Sequence, residues 1–173
     1  MSNAIDKVSN AIEIADLSKR FDGFQLKHIG LALPKGSIMG FIGENGAGKT
    51  TTIRLMLNHL KADSGTIKLL GLDHIRDEKQ LKNEIGVVFD ESYFHENLKP
   101  KHISGIMSRI YTRWDEALFF EYLKHFKLPA DKNMKDFSRG MKMKLSIATA
   151  LSHHPKLLIL DEATSGLDPI VRN

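Results

Sequence analysis

The chain contains no cysteine. A disulfide framework and a thiolate metal site are therefore excluded, and a reducing compartment suits it. No apolar run approaches the roughly 18 residues that a membrane-spanning helix requires. The opening "MSNAIDKVSN" lacks the basic-then-apolar order of a secretion signal, and its "SNA" has the form of a cloning remnant. Residues 1–10 are accordingly set apart as a leader, and the expected compartment is the cytoplasm. Internal repeats, low-complexity segments and runs of one charge are also missing. The net charge of +4 is spread along the chain, so charge alone gives no footprint for nucleic acid.

What remains is the composition of a globular domain. A length of 173 residues, 42% apolar and 27% charged, supports one domain with a sizeable core. Strands are expected in "AIEIA" (11–15), "FQLKHIGLAL" (24–33) and "SIMGFIG" (37–43), with a Pro-Gly turn in "LPKGS" between the last two. "TTIRLMLNHL" (51–60) places apolar residues at 53, 56, 57 and 60, the spacing of one helical face. "DSGTIKLLG" (63–71) reads as a turn and a strand, and "EIGVVFD" (84–90) as a buried strand. From about 97 to 128 the period is helical, through Ile103, Ile106, Met107 and Ile110, then Trp114, Leu118, Tyr122 and Phe126. A further helix is expected over 138–154, with Ser138 as N-cap and Pro155 as its stop. "KLLILDEATSGLDP" (156–169) reads as a fully buried strand running into a polar loop. Alternation of strands and helices in this order predicts an α/β fold.

"GENGAGKTT" concentrates glycine, alanine and one lysine between a strand and a helix. Residues 43–50 fit the G-x-x-x-x-G-K-[ST] phosphate loop, and the flanking elements supply the context that motif needs. Gly43, Gly46 and Gly48 allow backbone angles and an approach that a side chain blocks. Successive N–H groups, with Glu44, Asn45 and Ala47 between the glycines, then form a nest for phosphate oxygens at the positive end of a helix. Lys49 bridges the terminal phosphates and the Thr50 hydroxyl ligates Mg²⁺ in this reading. A plain flexible loop is the alternative, and the strand and amphipathic helix around it argue against that.

A nucleotide that is cleaved needs an acidic site as well. "LLILDE" (157–162) sets Asp161 and Glu162 at the end of an apolar strand. Adjacent carboxylates at a core edge repel unless a cation or proton intervenes. Mg²⁺ near Asp161 supplies that cation and leaves Glu162 to polarise the attacking water.

These segments resemble the nucleotide-binding domain of ABC-type ATPases, from about Ile12 to Arg172. The resemblance implies a P-loop core with a parallel sheet, an N-terminal antiparallel β subdomain and a helical subdomain of about 91–154, the whole domain filling 11–173. It implies that Phe21 stacks on adenine, that Thr51 lies near the phosphates, and that "FSRGM" (137–141) is the signature. Ser138 and Gly140 there contact ATP held by a second subunit in a head-to-tail dimer. "SGLD" (165–168) matches the D-loop, with Asp168 at the dimer contact. ATP and Mg²⁺ are the implied cofactors, and a transmembrane permease is the implied partner, placing the chain at the cytoplasmic face of a membrane. Aromatic residues of the insert (Tyr111, Trp114, Phe119, Phe120, Tyr122) either face that permease or form subdomain core.

Two departures from the family pattern stand out. The first signature glycine is Arg139 and the glutamine is Met141. After "IGVVF", where the family has the glutamine of the Q-loop, stands Asp90, which can also reach a metal. The R/K-G-M-K form of the signature resembles that of bacterial exporters of drugs and antibiotic peptides. Arg139, Lys142 and Lys144 crowd the start of a helix, where the dipole disfavours cations by about 0.3–1 kcal/mol each, so either an anion docks there or the face is simply solvated. The competing assignment is a soluble ABC ATPase acting on nucleic acid or ribosomes. The compact insert and the absence of cysteine disfavour its zinc-bearing forms, and no direct nucleic-acid partner is expected. A third, a non-hydrolysing nucleotide-binding module, is disfavoured by Lys49, Asp161 and Glu162 together.

The family's switch histidine lies beyond position 173, and with it a strand expected between the phosphate-loop strand and the "LLILDE" strand. The 173 residues are thus expected to be a truncated domain that hydrolyses ATP poorly or folds incompletely by itself. A fully cooperative melt followed by circular dichroism, together with ordinary turnover, overturns that expectation.

Overall fold

The structure is a computed structural model that describes residues 9–44, 46–90 and 94–161. Its chain divides into two compact units, 1–81 and 82–173.

The first unit is built on a long hairpin. Strand β1 (Asn10–Phe21) pairs antiparallel with β2 (Phe24–Pro34), and its other edge takes β3 (Ser64–Leu69), which continues to the short β4 (Leu72–Asp73). The sheet order is β2-β1-β3-β4. Ile12, Ile14, Leu17, Leu26, Ile67 and Leu69 are buried on it, and each such aliphatic side chain contributes about 1.5–3 kcal/mol. β1 is thus longer than "AIEIA" alone suggested. The extension depends on Asp22 and Gly23, with Gly23 at φ 77°, closing the hairpin between Phe21 and Phe24. Where the β1 register shifts, Asp16 (φ 54°) and His28 (φ 49°) both take left-handed backbone, and their side chains pair at 2.5 Å.

Two expectations for this unit are corrected. Residues 37–44 form no strand, and Ile38 and Ile42 are almost fully exposed. Among the described residues no strand pairs with this segment, so its backbone and apolar side chains have no sheet to join. The helix after the loop, α1 (Lys49–Met56), is shorter than expected. Asn58 at φ 57° turns the chain out of the helix, with His59 N–H donating to Arg54 O at 2.8 Å. Its buried side chains are Thr52, Ile53, Leu55 and Met56. A short helix α2 (Glu78–Glu84) leads out of this unit, with Leu81 buried.

The second unit holds a parallel pair, β5 (Ile85–Val88) beside β6 (Leu157–Leu160), in register from Ile85 with Leu157 to Val88 with Leu160. Lys156 N–H donates to Glu84 O at 2.7 Å, and Asp161 N–H to Val88 O at 2.8 Å, so the ladder runs past both ends. The Glu84 carboxylate accepts from Arg113 at 2.8 Å and sits 3.1 Å from the Lys156 ammonium. Burial pushes its pKa up, but Lys156 and Arg113 outweigh that and hold it below the usual carboxylate range. β6 is not buried on both faces, because Leu158 and Leu160 are exposed while Leu157 and Ile159 are buried.

Between these strands run α3 (Pro100–Ile110), α4 (Glu116–His125) and α5 (Arg139–Leu151). Their core is Ile103, Phe119, Leu123, Met134, Phe137, Leu145 and Ala148, with Trp114, Tyr122 and Phe126 packed against it. The aromatic residues are therefore mainly core, and Phe120 alone among the five is exposed. The buried face of α4 is Phe119 and Leu123, one residue round from Leu118 and Tyr122. Trp114 lies 5.3 Å from the Phe119 ring, and its indole N–H donates to Ser104 Oγ at 3.1 Å. His153, expected merely at a helix end, is buried, stacked 4.0 Å from Tyr111, with Nε2 3.2 Å from Ile85 O and Nδ1 without a partner.

Two tests follow from this packing. Gly65 lies at φ +94° with a Cβ position 2.5 Å from Asp16 O, whereas Gly71, at φ +85°, has open space there. Gly65→Ala is expected to destabilise by about 3 kcal/mol or more, against about 1–2 for Gly71→Ala, as read from urea melts. Burial lowers the His153 pKa, so the folded chain binds fewer protons there than the unfolded chain. Stability is fully present above about 6.5, the ordinary imidazole value, and falls as the pH drops below it. His153→Gln flattens the pH 5–7 part of the melt profile.

Candidate nucleotide site

The phosphate loop opens α1 with glycine at the N-cap, a residue that has no side chain to cap the first-turn amides. Gly46 (φ +83°) and Gly48 (φ +92°) take left-handed backbone, and a Cβ on Gly43 would lie 3.2 Å from Ala47 Cβ. Ala47 N–H donates to Glu44 O at 3.1 Å and Thr52 N–H to Gly48 O at 2.8 Å. The first turn of α1 holds no acidic residue, so no side chain of that turn opposes an anion at the positive helix end. Lys49 turns its ammonium back over the loop, donating to Gly43 O at 2.7 Å and Glu44 O at 2.9 Å. Thr50 and Thr51 follow in the first turn of the helix.

The turn of the β1–β2 hairpin approaches this loop. A Cβ on Gly48 would stand 3.0 Å from Phe24 and 2.5 Å from Leu26 Cδ2. Phe21 is exposed, stacks on Phe24 at 6.2 Å, and carries Lys19 Nζ 5.7 Å from its ring centroid. The antiparallel strands were expected, but the tight turn at Asp22 and Gly23 and the place of Phe24 beside the loop were not. The available signal was Asp-Gly between two aromatic residues.

In the second unit, Asp161 is buried at the end of β6. Ser138 caps α5, its hydroxyl accepting from Met141 N–H at 3.2 Å. Gly140 lies in the first turn behind it. Arg139 Nη2 donates to Asp90 Oδ1 at 2.6 Å, which joins the two departures from the family pattern. Forty-nine residues separate them, so nothing local in the sequence announced the contact. Asn45, Glu162 and the D-loop with Asp168 lie outside the described residues.

A family model described as ABC transporter matches residues 26–165. The chain belongs to the ABC transporter family. It is 38% identical to the bacitracin transport ATP-binding protein BcrA of Bacillus licheniformis, over 94% of this chain and 54% of that protein. To the ABC transporter ATP-binding protein YtrB of Bacillus subtilis (strain 168) it is 36% identical, over 94% of this chain and 56% of the other. The chain thus spans about half the length of these curated ABC relatives. Among solved structures, an ATP-binding subunit of an ABC transporter superposes with a TM-score of 0.83 at 26% identity, over 94% of this chain and 70% of that one. CbiO1 from Clostridium perfringens, part of the cbiONQ complex, superposes at 0.74 with 28% identity, over 94% and 69%. The predicted P-loop fold, with its antiparallel N-terminal sheet, is that of the ABC ATP-binding domains.

The loop geometry makes Gly48 a sensitive position in this ABC domain. Gly48→Ala strains the left-handed backbone by about 1–2 kcal/mol and presses on Leu26 and Phe24. Binding of a fluorescent ATP analogue is expected to fall by at least tenfold, while Gly46→Ala, with open space at its Cβ, loses less.

Proposed function

We propose that this chain is the Mg–ATP-binding and ATP-hydrolysing part of a transporter's cytoplasmic subunit. The observation that carries the reading is the loop of 43–50. Two of its glycines are left-handed, its helix end is uncapped by side chains, and its lysine is already anchored on the loop's own carbonyls. Such a loop suits a polyphosphate. The oxygen donors Thr50 and Asp161 suit Mg²⁺, a hard cation, which supplies charge neutralisation at the terminal phosphates when bound.

The chain's own residues divide the work. Lys49, Asn45 and the amides of 46–51 bind and orient the phosphates, and the face of Phe21 receives the base. Thr50 and Asp161 are the residues that would hold the metal. Glu162 orients the attacking water and accepts its proton as the oxygen bonds to the γ-phosphorus and the ADP oxygen leaves. Ser138 and Gly140 meet the nucleotide of a second subunit, arranged head to tail. Closure of that dimer reaches a membrane permease through the helical insert, where Ile106, Ile110 and Phe120 are exposed. The bacitracin-transport relative supports an antibiotic peptide or drug as cargo.

The test uses the full-length protein carrying Glu162→Gln, followed by light scattering with and without Mg–ATP. Nucleotide binding is retained, hydrolysis falls by about 10² or more, and the mass doubles with ATP. Lys49→Ala abolishes the doubling. A mass that stays unchanged with ATP bound removes the sandwich reading.

A further inference from the structure

Phe24 has no part in the division of work given above, yet its ring borders both ends of the nucleotide site within the first unit. Phe21 and Phe24 are the last facing pair of the β1–β2 ladder, so their side chains leave the hairpin on one face. Their rings stack at 6.2 Å with 29° between the planes. The tip of the Phe24 ring meets the phosphate loop, since a Cβ on Gly48 would stand 3.0 Å from Phe24 Cζ and 2.5 Å from Leu26 Cδ2. Gly48, at φ +92°, is the N-cap of α1. Its carbonyl accepts from Thr52 N–H at 2.8 Å and from the Thr52 hydroxyl at 2.9 Å. One half-buried ring thus touches both the exposed Phe21 ring and the residue from which the loop's helix starts. All of these residues lie in the first unit.

We infer that Phe24 is a positioning residue that sets the separation between the Phe21 face and the phosphate loop. The inference rests on the reading of Phe21 and of the loop given under the proposed function. A phenylalanine ring is rigid and turns about only two side-chain bonds, so it passes a displacement at one neighbour on to the other. A ligand gripped at both ends gains most when the two grips are already at its own spacing, because the second contact then costs little further ordering. Without the ring, Gly48 loses a wall and Phe21 loses its stacking neighbour. Lys19 stays, 2.7 Å from Asp63 and 5.7 Å from the Phe21 ring centroid. The hairpin tip therefore remains folded but is no longer referenced to the loop.

The experiment measures dissociation constants by calorimetry in the full-length Glu162→Gln protein with Mg²⁺. The two ligands are ATP and inorganic tripolyphosphate, which has the phosphates and no base. Phe21→Ala is expected to weaken ATP by about tenfold, as the loss of one base–aromatic stack does, and to leave tripolyphosphate within about twofold. Phe24→Leu weakens ATP by about tenfold or more and tripolyphosphate by more than about threefold. With Leu at 24, adding Phe21→Ala costs ATP no more than about threefold. Phe24→Met also keeps apolar bulk at this half-buried position, so either variant carries the test if the other folds poorly. A smaller loss of tripolyphosphate in the Phe24 variants overturns the link to the loop. A cost of Phe21→Ala that stays above threefold with Leu at 24 overturns the link to Phe21, an outcome that mere loosening of the unit also gives. A parent that binds neither ligand, or a Phe21→Ala protein that binds ATP as the parent does, removes the proposed reading of the site instead. The tie is then decided without ligand by hydrogen exchange at Thr52, whose amide bonds to Gly48 O. Faster exchange in Phe24→Leu than in the parent supports the tie, and unchanged exchange overturns it.

Discussion

The parallel ladder between β5 and β6 is the constraint from which the chemistry of the second unit follows. Its bonds continue one step beyond the strands, where Asp161 N–H reaches Val88 O. That last bond fixes the Asp161 backbone at the core edge and leaves Asp90 to follow Val88 on the neighbouring strand's exit. The helix above is held to the same ladder. A Cβ on Gly86 would stand 2.7 Å from Ala150 O, so α5 lies against β5 at a distance that only glycine permits. Helix, strand exit and the turn at Ser138 are therefore held close together within this unit, where Arg139 meets Asp90 at 2.6 Å.

A different principle governs the first unit. Its loop is shaped by backbone angles and held by its own lysine, and its sheet is held by hairpin and register. The two left-handed bulge residues, Asp16 and His28, face one another across β1 and β2 and pair there. The strain of these two left-handed non-glycine residues thus falls within the neighbouring register shifts between Ile14 and Lys19 of β1, and a further shift lies between Asn10 and Ile12.

How much of this could be read in advance depended on whether the signal was local. The glycine turn that opens α1, the Ser138 cap and the strands around 64–69 and 85–88 follow from residue type and short spacing, and each stands where the sequence placed it. The α1 terminus was missed because Asn58, not a glycine or proline, turns the helix. The α4 face was legible in part, since Trp114, Tyr122 and Phe126 do pack against the core, whereas the fully buried positions of the helix are Phe119 and Leu123. Residues 37–43 have strand composition but no strand beside them among the described residues, and composition cannot supply a partner. The Asp90–Arg139 contact depends on tertiary packing alone.

Lys49 shows what such a loop can and cannot discriminate. Its side chain is already confined by two carbonyl acceptors, so most of the roughly 2 kcal/mol of rotamer entropy that a lysine carries is lost before any phosphate arrives. Capture then exchanges acceptors and does not order a loose chain, and the loop reads charge and reach along a phosphate tail. In the proposed reading, the Phe21 face would meet the base through flatness and area alone. Neither records the pattern of donors and acceptors on a base edge, so on that reading these two features by themselves would tolerate any base and make strict demands only at the phosphate end.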